Sequence, residues 1–205
     1  MIRTVAVAGF VLAQWASAVQ AAPPGPHDPD WPCQQIKVPE MSLAAVWSGP
    51  PIELARIAWA DDPAVAELVS QVTPRRMPVE RAQTLIADYA EHSVGQKRPA
   101  LLKLLAGVFA TLSNERGSIM VGLDRFGSRQ KELAADIRAD NEKLRALQTN
   151  PQSDPGDVQK LTQHVTWEAE LFQDRRQALS YACDAPGKVE QRLFALARII
   201  QHELE

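Results

Sequence analysis

The feature that most constrains this chain is a seam of residues spaced alternately four and three apart over about fifty positions of its second half. Leu101, Leu105, Val108 and Leu112 open the seam, and Ile119, Leu123, Phe126, Gln130, Leu133, Ile137, Asp140, Leu144 and Leu147 continue it. Such spacing builds a long helix with one face that has to be covered. Asn150-Pro151 through Asp154-Pro155-Gly156 then gathers turn-forming residues, so the chain must reverse there. Beyond the turn, Val158, Leu161, Val165, Glu168, Phe172, Arg175, Leu179 and Ala182 repeat the spacing, and after Ala185-Pro186-Gly187 so do Val189, Leu193, Leu196, Ile200 and Glu203. Two matching seams joined by a tight turn predict an antiparallel helical hairpin, residues 99–149 against 156–205. Residues 101–112 are apolar on nearly every side apart from Lys103, which predicts burial in a bundle. Residues 124–147 are charged away from the seam, which predicts projection into solvent. Gly107, Gly117, Gly122 and Gly127 each cost roughly 1 kcal/mol against alanine inside a helix, and they predict a kink or break between Glu115 and Gly122.

Upstream of the seam the helical signals are shorter. Ile52, Leu54, Ile57 and Trp59 carry a helical period that stops at Asp61-Asp62-Pro63, where Asp62 is placed to cap a helix that Pro63 opens. That helix runs through Val65, Leu68, Val69 and Val72 to Pro74. Another, opened by Pro78, carries Val79, Ala82, Leu85, Ile86 and Tyr89 as one stripe and closes at His92, Ser93 and Gly95. No stretch alternates apolar and polar residues between hairpin turns, so the expected fold is all-α. It is a helical bundle dominated by the coiled-coil-like hairpin, with residues 52–205 forming a single helical domain. Before it, residues 23–51 are too rich in proline to start a helix and form an extended arm, with at most one helical turn around Ser42 to Val46. Trp31, Cys33 and Trp47 are the side chains that would pin this arm to the body.

Residues 1–22 have the three parts of a secretory signal: Arg3, an apolar run from Val5 to Ala13, and small residues that allow cleavage after Ala18 or Ala21. The apolar run is shorter than the roughly 20 residues that span a bilayer, so the expected address is a bacterial periplasm, with membrane contact only through this segment if it is kept. The formal charge of −3 includes Arg3, so cleavage leaves −4, a mild balance that argues against nucleic-acid and polybasic membrane partners. In an oxidising compartment the two cysteines, Cys33 and Cys183, are expected to pair. Their bridge would close a loop of about 150 residues, for which chain entropy sets a ceiling on the order of 5 kcal/mol.

Candidate chemistry is sparse. The sequence has no nucleophile elbow, phosphate loop, Cys-x-x-Cys or His-Glu-x-x-His, and no cofactor is implied. His27, Asp28, Asp30 and Cys33 are the densest set of metal-ligating types, but Pro26, Pro29 and Pro32 restrict their convergence. His164 and Glu168 stand at i and i+4, a spacing suited to one metal ion or to a simple ion pair. No Glu-x-x-His of a di-metal bundle occurs. His202 is placed to face solvent or the end of its helix. Glu115, Arg116, Arg175 and Arg176 interrupt the seams, as polar residues do when they set register or pair at the surface. The Arg138 and Glu142, Asp140 and Lys143, and Glu142 and Arg145 spacings fit a solvated helix face. Leu161-Thr162-Gln163-His164-Val165 resembles the Leu-Thr-x-x-Gln of small periplasmic helical stress chaperones, but Val165 stands in place of the glutamine and no family follows from it.

A long seam without a catalytic set leads to the expectation of a non-enzymatic envelope adaptor, docking a partner protein or a second copy of itself through the hairpin. The first alternative is a chaperone-like or small-ligand binding module with Trp47, Trp59 and Trp167 lining a groove. The second is an enzyme whose site forms only on folding.

Overall fold

The computed structural model describes residues 28, 30–49, 52–53 and 57–205. The signal segment and His27 lie outside them. Five α-helices run through the described residues: α1 (Pro63–Val72), α2 (Val79–His92), α3 (Lys97–Thr149), α4 (Pro155–Cys183) and α5 (Ala185–His202). No strand occurs among those residues, and the fold is an all-α bundle dominated by the α3–α4 hairpin.

The starts and stops follow local chemistry. Asp62 accepts a hydrogen bond from the Val65 amide, with Pro63 in the first turn of α1. The same carboxylate takes Lys103 Nζ at 3.2 Å, tying the start of α1 to α3. Gly95, at φ 79°, turns the chain between α2 and α3, a conformation that costs glycine little. Asp154 caps α4 through the Gly156 amide. Asp184 is the single residue between α4 and α5, and Pro186 opens the latter. The helical period read over Ile52 to Trp59 resolves into a 3-10 turn at Trp59–Asp61, with residues 54–56 outside the described set.

The core of the body comes from one stripe of each of four helices. Val65, Val69 and Val72 of α1, Ala82 and Ile86 of α2, and Leu101, Leu104, Leu105, Val108 and Leu112 of α3 meet Val189, Leu193, Leu196 and Ile200 of α5. Lys103 escapes the apolar segment sideways to reach Asp62, while Leu101, Leu104, Leu105, Ala106, Val108 and Leu112 are buried and Leu102 and Phe109 are half-buried. Arg192, also buried, donates to the carbonyls of Val72 and Met77, so its guanidinium satisfies the end of α1 and the loop after it. Burial pushes the Arg192 pKa down.

The break expected between Glu115 and Gly122 does not occur, and α3 is continuous from Lys97 to Thr149. Packing explains why glycine's low helix propensity does not interrupt it. Met120 and Leu123 are buried under the arm, and Arg116 is locked in place within the same stretch. Two of the glycines mark close approach instead. A Cβ on Gly107 would meet Val69 Cγ2 at 2.6 Å and Trp59 Cε3 at 2.8 Å, and one on Gly127 would run into the carbonyl oxygen of Asp30.

That second approach belongs to the arm, which straps α3 to the end of α4. Cys33 and Cys183 form a disulfide with Cα atoms 5.7 Å apart, and both sit in a small core with Trp31, Met120 and Leu123. Gln35 donates to the Cys183 carbonyl and Trp31 Nε1 donates to the Gln35 carbonyl, at 2.5 and 2.7 Å. Lys37 bridges Asp28 and Asp124 at 2.6 and 2.8 Å, and its ammonium lies over the Trp31 ring. Arg116, 4 % exposed, donates to the carbonyls of Val38 and Pro39 and to Glu190 of α5. It therefore does more than set register, because it joins arm, α3 and α5 at one buried point. A 3-10 turn at Leu43–Ala45 follows, and Trp47 enters the core of the body.

Candidate functional site

Beyond Gly127 the hairpin has little interior. Among the described residues there, Leu144 and Glu168 are the fully buried ones before Cys183, while Leu133, Ile137, Leu147, Leu161, Val165 and Phe172 are half-covered. Two helices can only cover one another's seam from one side, so these intermediate burials mark a projecting hairpin arm, distinct from the N-terminal strap, with no third helix against it. From residue 128 to Thr149 the arm extends about 33 Å at 1.5 Å per residue.

Two groups of polar side chains stand out on this hairpin. The first joins Asp140 of α3 to His164 and Glu168 of α4. His164 Nε2 lies 3.5 Å from Asp140 Oδ2 and 3.4 Å from Glu168 Oε1, and one ligand atom from each residue falls within 4.8 Å of the others. Both carboxylates occupy seam positions, where a leucine would otherwise sit. Glu168 is 7 % exposed, and its Oε2 has no hydrogen-bond partner among the described residues. Lys143 donates to Asp140 Oδ1 at 2.7 Å, and chiefly through that bond holds the Asp140 carboxyl below the usual carboxylate range. The half-exposed His164 lies alongside Trp167, with ring centroids 6.4 Å apart.

Sequence reasoning paired His164 with Glu168 but treated Asp140 as part of a solvated face. The signal was present in the turn. Asp140 stands twelve residues before Gln152 and His164 twelve after it, so an antiparallel hairpin reversing there brings them level.

The second group is a recess of about 310 Å³ where the arm leaves the body, lined by Gly122, Arg125, Phe126, Arg129, Gln130 and Arg175. Gln130 is anchored to the Phe172 carbonyl at 3.3 Å. None of the three arginines, all of which line this concavity, has an ion-pair partner within 4 Å among the described residues. Arg125 and Arg129 are one turn apart on α3, and Arg175 comes from α4; Arg129 and Arg175 each stand twenty-three residues from Gln152, so the same reversal brings them level.

The remaining candidates have other occupations. Asp28 accepts from Lys37, whose bond is the main cause of its lowered pKa, and Asp30 accepts from Lys131 at 2.7 Å. Cys33 is in the disulfide. His202 lies exposed at the end of α5, with Nδ1 3.9 Å from Glu203. Trp47 is in the core of the body, Trp59 packs against that same core and against Gly107, and Trp167 is exposed on α4, which sets it apart from the other two. No described helix is long and apolar enough to cross a membrane.

No protein-family model matches this chain, and neither the curated proteins nor the solved structures contain a significant match to it.

Proposed function

We propose that this chain is an exported, non-enzymatic adaptor of the bacterial envelope, and that its α3–α4 hairpin docks an acidic segment of a partner protein. The observation that carries the reading is the recess of Arg125, Arg129 and Arg175, whose charges find no partner within the described chain. Guanidiniums recognise carboxylates through paired N–H donors, and several converging on one concavity favour an acidic peptide over a neutral one. Phe126 and the half-covered seam beside it supply apolar contact. The Cys33–Cys183 disulfide supports an oxidising compartment, and the signal-like residues 1–22 support export to the periplasm.

A chaperone-like surface has less support. The large exposed apolar side chains of α4, Trp167 and Tyr181, stand about 21 Å apart along the helix and form no continuous patch.

The test places a photo-crosslinking residue at Phe126 in the recess and, as a control, at the exposed Thr84 of α2 in the full chain expressed in cells. The expected result is one discrete adduct from position 126, mapped to an acidic stretch of another protein and lost when Arg125, Arg129 and Arg175 are changed to glutamate. An adduct of twice the chain's mass would replace this partner with a second copy. No adduct from position 126, or one unaffected by the charge reversals, overturns the reading.

A further inference from the structure

We propose that Asp140, His164 and Glu168 form a binding site for a divalent transition-metal ion of the zinc class, held between the two helices of the hairpin. The proposal does not depend on the docking recess, which lies nearer the body.

Ligand geometry is the first support. A tetrahedral ion with bonds of about 2.0–2.2 Å to nitrogen and oxygen holds its ligand atoms about 3.3–3.6 Å apart. His164 Nε2 already stands 3.5 Å from Asp140 Oδ2 and 3.4 Å from Glu168 Oε1. These separations exceed the 2.7–3.2 Å of a good N–H···O hydrogen bond, so a proton shared among the three groups fits them less well than an ion at their centre. One ligand atom from each of the three residues falls within 4.8 Å of the others, which closes the third edge of the cluster.

The second support is Glu168 itself. A carboxylate 7 % exposed in an apolar seam, with Oε2 unpartnered among the described residues, needs a compensating positive charge. Lys143 is hydrogen-bonded to Asp140 through the other oxygen and reaches Glu168 only through the longer-range attraction of their charges, so no lysine or arginine is in contact with the Glu168 carboxylate among the described residues. A divalent cation bridging to Oε1 of Glu168 and Oδ2 of Asp140 supplies it.

Ligand chemistry sets the class of ion. One imidazole with two carboxylates suits zinc and its first-row neighbours over calcium or magnesium, which prefer all-oxygen shells. Three protein ligands leave the fourth position to solvent, which reaches the site past the half-exposed His164. Because two ligands come from α4 and one from α3, the ion would staple together the two helices of the projecting hairpin.

The experiment is isothermal titration of the disulfide-intact chain with zinc chloride alone, beside calcium and magnesium chlorides. Cobalt(II) absorption reports coordination. The expected result is one zinc per chain in the micromolar range or tighter, visible cobalt bands of a four-coordinate site, and no calcium or magnesium binding at the same concentrations. His164→Gln and Glu168→Gln should each weaken zinc at least tenfold, while His202→Gln should leave it unchanged. His164 is half-exposed, so H164Q keeps the test decisive should E168Q perturb the fold, and circular dichroism checks both. Zinc binding that H164Q leaves intact, or no binding below millimolar zinc, overturns the proposal.

Discussion

Replacing the glycines of α3 by alanine should change sign along the helix. At Gly117 and Gly122 a new Cβ meets no atom within 4 Å, so the substitution only improves helix propensity and should stabilise by about 1 kcal/mol at each site. At Gly127 the same Cβ is driven into the Asp30 carbonyl and stands 3.2 Å from Pro32 Cδ. Backbone cannot rotate aside as a side chain can, so the arm has to lift from α3. Overpacking of this kind costs typically about 1–3 kcal/mol, and because the clash is with backbone the upper half of that range applies; less the propensity gain of about 1, a net loss of about 1–2 kcal/mol is expected. The arm cannot lift freely because Cys33, three residues after Asp30 and next to Pro32, is bonded to Cys183. In a Cys33→Ala, Cys183→Ala background, itself less stable by at most about 5 kcal/mol, the penalty at Gly127 should therefore shrink or reverse, giving a coupling of about 1 kcal/mol or more. Urea unfolding followed by circular dichroism measures all four proteins of that cycle. Gly127→Ala as stable as the parent in the oxidised state, or Gly117→Ala and Gly122→Ala both destabilising, would refute the reasoning.

Two further outcomes follow from buried or capping charges. Arg116→Met removes the guanidinium that serves Val38, Pro39 and Glu190, and should cost about 2–3 kcal/mol in urea unfolding while speeding proteolysis of the arm; unchanged cleavage of residues 34–40 would contradict the strap. Asp62 has its carboxyl held below the ordinary aspartate range, first by Lys103 and then by the Val65 amide. A lowered folded pKa contributes stability that is present above the unfolded value and lost as pH falls through the folded one, so this part disappears below about pH 3.8. Asp62→Asn keeps a capping oxygen but does not titrate, and its urea midpoint should fall less than the parent's between pH 5 and pH 3, roughly the span over which the aspartate charge is lost. Parallel curves for the two proteins would show that Asp62 contributes nothing to acid sensitivity.

Much of the architecture was legible because helical periodicity is a local property. Alternating spacings of four and three placed α3, α4 and α5, and the capping signals Asp62-Pro63 and Asp154-Pro155 located two helix starts. The glycines misled for the same reason. Propensity counts only what a residue costs its own helix, whereas Gly107 and Gly127 are matched to a tryptophan on one side and an arm on the other, neither of which is near in sequence.

The cysteine pair was inferable from number and compartment, but not the way Trp31, Met120 and Leu123 enclose it. By itself the sequence determined an all-α chain with a long hairpin, because seam spacing and turn composition act over a few residues. Only tertiary structure decided that Asp140 meets His164 and Glu168, that Arg175 joins Arg125 and Arg129, and that Arg116 carries the arm. Each of those groupings depends on which helix faces meet, and although the turn sets which residues of the hairpin stand level, the facing is set by the packing of the whole bundle rather than by any segment of it.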